Sequence, residues 1–163
     1  MQKVVSNSSP IIHLAKIGKL SLLRESFNTI MVPESVFKEC VAEGKDRKEV
    51  EAIKKAEWIR VAEVQDKKLV KLLQSSLDDG ESEAIALSLE SGADLILLDD
   101  SDAREKARIY GLTVTGTLGV LLRAKKDRKI GSLKENIIKL RESGFWVSDF
   151  VEKRLLEASG EPF

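Results

Sequence analysis

One cysteine, Cys40, and one histidine, His13, are all that the chain offers as thiolate or imidazole ligands. No intramolecular disulfide can form, and a zinc site of the usual Cys/His type lacks ligands. A metal here has to be a hard cation bound through oxygen. Charge of one sign is missing too: Lys+Arg and Asp+Glu are 27 each, for a formal net charge of +0. No global basic charge marks a nucleic-acid binder, so attraction for phosphate has to come from local clustering. No apolar run approaches the roughly 18 residues of a membrane span. The N-terminal MQKVVSNSSP has no long apolar stretch and no small-residue cleavage site, so no signal peptide is evident. Internal repeats, low-complexity stretches and linkers are absent as well. The expectation is a soluble, cytoplasmic protein with no membrane partner.

What remains is material for one domain, residues 1–163. Hydrophobic residues make up 42% and charged residues 33%, enough for a core under a heavily charged surface. Val4-Val5 reads as a strand running into Ser6-Asn7-Ser8-Ser9-Pro10. Ser9 is the expected N-cap, with Pro10 at the first position of a helix over 11–16. A helix over 20–27 follows, then a strand over 29–32 ended by Pro33. Helices are predicted over 34–43 and 46–55, with Val36, Phe37 and Cys40 on one face of the first. The weak alternation over 58–64 predicts an edge strand. A helix over 66–77 leads to a turn at Asp79-Gly80 and an Ala/Leu-rich helix over 81–91, with Gly92 at its C-cap.

Leu95-Ile96-Leu97-Leu98 is a bare apolar run, as a parallel strand buried on both faces requires. It runs straight into Asp99-Asp100-Ser101-Asp102. A helix over 103–110, a strand over 112–115 and helices over 118–126, 133–143 and 147–158 complete the chain, with 159–163 as a loose tail. Strands alternating with helices at this spacing predict a three-layer α/β/α sandwich on a central parallel sheet of four to five strands.

In such sheets function gathers at the carboxyl ends of the strands. There the sequence places Asn7, Asp99 and Asp100, and Thr115-Gly116-Thr117, while neighbouring helices add Glu39, Glu81 and Glu83. Crowded carboxylates repel one another and raise one another's pKa; a divalent hard cation among the oxygens removes the conflict. It also lowers the pKa of a bound water and orients a phosphate. Each residue has a plainer reading as well. Asp99-Asp100 reads equally as a solvated turn capping the next helix. Asp102 and Glu81 suit first-turn positions, where the helix dipole favours acids. Glu39 reads alone as a solvated mid-helix residue, His13 as a packed or capping imidazole, and Cys40 as a small core residue. Gly116-Thr117-Leu118-Gly119 is too short for a phosphate-cradling loop and lacks its lysine. The basic run Arg123, Lys125, Lys126, Arg128 and Lys129 reads as a solvated helix face. Arg104, in the first turn after Asp100, is the best placed cation for a phosphate.

Five blocks resemble the PIN-domain superfamily, and more narrowly its VapC-like prokaryotic branch. They are Val4 to Ile12, Val32 to Glu39, Gly80 to Leu87, Leu97 to Asp100, and Val114 to Leu121. They stand in the family's order and cover core motifs over 4–122; the C-terminal helices, 132–158, match less well. The resemblance implies four acidic positions around one or two Mg²⁺ or Mn²⁺ ions. Carried over singly, these are Asn7, where the family normally has Asp; Glu39; Glu81, with Glu83 as the nearby alternative; and Asp100, with Asp99 adjacent. Ser9, Asp102 and Thr117 are additional candidates, and Glu39, Glu81 and Asp100 would be catalytic. The implied activity is a metal-dependent endoribonuclease. The implied role is the toxin of a type II toxin–antitoxin pair, with RNA, a cognate antitoxin and a second copy in a homodimer as partners. Apolar residues near the C-terminal helices, Phe145, Trp146 and Phe150 among them, suit that homodimer or simply the core. The alternative is a degenerate PIN fold that binds RNA or a protein without cutting.

Overall fold

A computed structural model describes residues 2–42 and 47–163. Val4–Ser6 (β1), Ile30–Pro33 (β2), Ile59–Ala62 (β3), Leu95–Leu97 (β4) and Val114–Thr115 (β5) form one sheet in the order β3-β2-β1-β4-β5. Every pairing is parallel, with Val5 opposite both Met31 and Ile96. Residues of β1 and β4 are buried throughout, which is why Leu95-Ile96-Leu97 is an unbroken apolar run and β1 varies from Val only at Ser6. Strand β3 lies at an edge and exposes Arg60 and Val61.

The sheet's pleat divides the core. Val4, Leu95 and Leu97 belong to one apolar cluster, Val5, Ile96 and Leu98 to the other. On the first face pack Ser8–Lys16 (α1), Ser21–Phe27 (α2), Glu34–Ala42 (α3), Arg47–Lys55 (α4), Thr117–Lys126 (α8), Leu133–Glu142 (α9) and Asp149–Ser159 (α10). On the second pack Lys67–Leu73 (α5), Asp79–Ser91 (α6) and Ser101–Ile109 (α7). This is the expected α/β/α sandwich, with five strands among the described residues. From β1 the chain steps outward through β2 and β3, then returns to the other side of β1 with β4 and β5. The switch point between β1 and β4 opens a crevice beyond their carboxyl ends. The Asn7 backbone N–H donates to the Leu97 carbonyl at 3.0 Å, joining the ends of β1 and β4.

Several boundaries differ from the sequence reading, and capping explains most of them. α1 begins at Ser8 with extended Asn7 as its N-cap, so Ser9 sits in the first turn instead of capping it. Asp78 caps α6 through a reciprocal pair with Glu81, which draws Asp79-Gly80 into the helix where a turn was expected. Asp100 caps α7 by accepting from the Ala103 amide at 2.9 Å, so that helix starts at Ser101. Ser148 caps α10, which runs from Asp149 to Ser159. The strand expected over 112–115 pairs only at Val114 and Thr115. Pro33 is the last residue of β2 rather than its terminator, and the helix expected over 66–77 stops at Leu73. Glu43 and Asp46, expected at helix ends, lie outside the described residues.

The tail is not loose. Glu161 accepts from the Leu133 amide at 2.6 Å, at the start of α9, and approaches Lys125 Nζ at 3.3 Å. Lys134 Nζ donates to the Phe163 carbonyl at 2.7 Å. Among the described residues, no helix is long and apolar enough to cross a membrane.

Candidate metal centre at the switch point

Asn7 stands where β1 passes into α1, at the bottom of the crevice. Its side chain makes no capping bond, although N-cap asparagines ordinarily turn their oxygen onto the helix amides. Its Oδ1 is buried and has no hydrogen-bond partner. A buried carbonyl oxygen left without a donor costs about 1–3 kcal/mol, so this oxygen is free to accept from a water or to coordinate an ion.

The position of that oxygen is defined by Gly80, in the first turn of α6. A Cβ placed on Gly80 would lie 3.2 Å from Asn7 Oδ1 and 3.0 Å from Glu39 Oε2. Glycine here opens the small space into which both oxygens point. Glu39 reaches it from α3, which packs along α6. One turn earlier on α3, the Ser35 hydroxyl donates a hydrogen bond to the Glu83 carboxylate. Glu83 therefore belongs to the α3 side of the crevice.

Glu81, the residue after Gly80, is bonded to its own helix cap. Its amide donates to Asp78 Oδ1 at 2.7 Å, and its own carboxylate accepts from the Asp78 amide at 3.2 Å. Burial pushes the Glu81 carboxyl up to about 7. The backbone bond from Asp78 works against that rise, while the negative charges of Asp78 and Asp100 add to it. Asp100, the N-cap of α7, is thus an electrostatic neighbour of Glu81. Four residues distant in sequence fall into two pairs, Asn7 with Glu39 and Glu81 with Asp100. The pairs adjoin at Gly80-Glu81. Among the described residues, no three Asp, Glu, His or Cys side chains form a ready-made group for an ion. The amide oxygen of Asn7 is a further oxygen donor, beside Glu39.

These residues suit a hard divalent cation. The donors are all oxygens, one of them buried and unpartnered. One carboxyl is held near neutrality by burial and like charge, a conflict that a cation relieves.

Asp99, adjacent to Asp100, carries three hydrogen bonds. Its Oδ1 accepts from the Thr117 amide at 2.7 Å, and its Oδ2 from Thr117 Oγ1 at 2.7 Å and Ser9 Oγ at 2.6 Å. It clamps the end of β4 to the first turns of α1 and α8. Ser9 and Thr117 are thereby tied to Asp99. Asp102 is exposed in the first turn of α7. Arg104 donates through Nη1 to the Leu98 carbonyl at 2.9 Å. Burial lowers its pKa, Arg108 lowers it further, and Asp99 opposes both.

His13 packs edge-on to Phe145, with ring centroids 4.9 Å apart. Burial lowers its pKa; Asp99 opposes that and Lys16 adds to it. Cys40 is buried in the core cluster of the first face. In the basic run, Arg123 lies over the Phe27 ring and near Asp127, and Lys125 serves the tail. The sequence reading missed Gly80 and Asp78. Asp78-x-x-Glu81 is a legible capping signature, but nothing local indicates which oxygens Gly80 makes room for.

Comparison with known proteins agrees with this architecture. The profile of a family described as "PIN domain" matches residues 3–161. No curated protein matches the chain.

Proposed function

The chain belongs to the PIN-domain family, and on that premise we propose that it is a metal-dependent endoribonuclease of the VapC-like kind, the toxin of a type II toxin–antitoxin pair. The observation that carries the reading is the buried, unpartnered Asn7 Oδ1 beside Glu39 at the Gly80 gap. Mg²⁺ or Mn²⁺ would be held there by Asn7, Glu39, Glu81 and Asp100, with Glu83 as the alternative to Glu81 and Asp99 adjacent to Asp100. Bound, the ion supplies an activated water and charge stabilisation for in-line attack on a phosphodiester. Glu81, with its carboxyl near 7, is suited to hold or release a proton at neutral pH. Asp99 holds β4, α1 and α8 in register, so that Asp100 and Asn7 keep their separation. Arg104 would position the RNA backbone without reading bases. The partners on this reading are RNA, a small antitoxin protein and a second copy in a homodimer.

The test is cleavage of structured and single-stranded RNA with Mn²⁺ and with EDTA. Mn²⁺-dependent cutting supports the proposal. Binding without cutting in either condition supports the second reading, a PIN fold that binds RNA or a protein partner only. The feature favouring that reading is Asn7 itself, which brings no formal charge where the family normally has Asp.

A further inference from the structure

A cavity of about 430 Å³ opens between the crevice and α10, within the range of small-molecule clefts, about 300–1,000 Å³. Asp99, Arg104 and Gly116 line its inner end; Phe145, Trp146 and Leu155 are among the side chains of its apolar wall. Resting on the RNA reading above, we propose that this cavity is a nucleobase subsite for single-stranded RNA. A base would stack on Trp146 while the adjoining phosphate meets Arg104.

Three observations carry this. Trp146 is 82% exposed, yet its backbone is fixed on both sides. The preceding residue, Phe145, donates its amide to the Leu140 carbonyl at 3.0 Å and packs its half-buried ring against the core. The following residue, Val147, offers its carbonyl to Arg141 Nη2 at 2.8 Å and Nε at 3.2 Å. Next comes Ser148, the cap of α10. A large, flat indole carried in solvent on a hydrogen-bonded backbone offers broad stacking area with only two side-chain torsions to order on binding.

The inner end is built for close approach. A Cβ on Gly116 would lie 2.7 Å from both Arg104 Nη1 and Asp99 Oδ1, and one on Gly119 would collide with Thr115 Oγ1. Two glycines therefore keep the cavity continuous with the strand ends.

The wall's chemistry then selects the occupant. An apolar face with a guanidinium at one end matches a flat base joined to a phosphate, the pairing that single-strand binders use. A second protein copy seated here would bury Arg104 and Asp99 against its own surface. Phe150, 69% exposed on α10 with Arg154 5.7 Å from its ring centroid, is not part of the lining. It remains available for a protein contact.

The chain has two tryptophans, so Trp58→Phe leaves Trp146 as the sole indole reporter. Its emission is followed as a single-stranded oligoribonucleotide is added, in EDTA and again with Ca²⁺. The expected result is saturable quenching, absent with a duplex of the same length. Trp146→Ala should weaken single-strand binding roughly tenfold, from a stacking contribution of about 1–3 kcal/mol, while Trp146→Phe retains most of the affinity. If Trp58→Phe folds poorly, the difference between the emission of the unaltered chain and of Trp146→Phe reads the same signal. Unchanged Trp146 emission on RNA binding, Trp146→Ala affinity within twofold, or no RNA binding in either buffer overturns the subsite. So does a concentration-dependent blue shift that RNA leaves unaltered, which would mean a second copy covers the indole. The two proposals fail separately: quenching without cleavage in Mn²⁺ removes the nuclease and keeps the subsite, and cleavage without quenching does the reverse.

Discussion

Asn7 Oδ1 and Glu39 Oε2 face the same empty position, 3.2 and 3.0 Å from where a Cβ on Gly80 would sit. One oxygen comes from the end of the central strand and the other from α3, and the absent side chain of α6 makes room for both. Gly80→Ala should therefore act on the site and spare the fold. The methyl displaces the Glu39 carboxylate, while alanine improves helix propensity by up to about 1 kcal/mol. The expected outcome is an unchanged or slightly raised Tm with Mn²⁺ affinity reduced roughly tenfold. Calorimetry and Mn²⁺ titration check it; unaltered Mn²⁺ binding would remove Gly80 and its two oxygens from the metal site.

Asn7→Asp restores a formal charge at nearly constant shape. Close charges in a partly desolvated pocket interact by several kcal/mol, so Mn²⁺ should bind at least about tenfold tighter and RNA cleavage should rise. Without metal, the new charge beside Glu39 costs stability, and the amino end of α1 offsets a few tenths of a kcal/mol to about 1. The net loss should stay below roughly 1 kcal/mol. If neither form cuts RNA in Mn²⁺ while both bind it, the chain is a binding module.

Glu81 makes the site pH-dependent. Its carboxyl is raised from 4.5 to about 7, chiefly by burial. A carboxyl raised on folding contributes stability that is complete below the unfolded value and lost as pH climbs through the folded one. Between about pH 4.5 and 7 the protein should lose about 1–2 kcal/mol from this group, solvent screening of the partly exposed carboxyl reducing the full effect. Glu81→Gln keeps the acceptor for the Asp78 amide and should flatten that slope, which urea unfolding at pH 5 and pH 8 measures. Mn²⁺ competes with the proton, so its affinity should rise with pH up to about 7 and level off above it. A pH-independent Mn²⁺ affinity would exclude Glu81 as a ligand.

Arg104→Ala tests the phosphate contact. RNA affinity should fall across sequences alike, and the logarithmic salt slope should decrease by about 0.7 for a single strand. An unchanged slope would take Arg104 out of the interface.

The tail makes a prediction about stability alone. Glu161 receives the Leu133 amide at 2.6 Å and the Lys134 amide at 3.4 Å, the role of a capping acid at the start of α9. Glu161→Ala should cost about 1 kcal/mol, seen as a lower urea midpoint with RNA and Mn²⁺ binding intact. An unaltered midpoint would mean the tail is only laid against the surface.

Local chemistry alone determined much of this protein. The bare run Leu95 to Leu98 required a strand buried on both faces, and its alternation with amphipathic helices required a parallel sheet covered on both sides. Those signals act over a few residues, through propensity and periodicity. Helix starts were less legible, because Asp78 and Asp100 compete as caps with the residues beside them, and only the folded backbone decides which amides they reach. The site was legible as a set of strand-end oxygens but not as a geometry. Whether Glu81 or Glu83 stands beside Glu39 depends on how α6 is rotated against α3, and packing sets that rotation. Asp99 looked interchangeable with Asp100 in sequence. Only the approach of Ser9 and Thr117, 90 and 18 residues away, turned one into a clamp and left the other as a cap facing Glu81. Trp146 went the opposite way. Its apolarity suggested core or dimer, but Gly144, with φ +98°, reverses the chain just before it. The ring of Phe145 packs against the core cluster, and the indole is left outside, on the cavity that Arg104 also lines, a placement that only the completed packing of α8, α9 and α10 could decide.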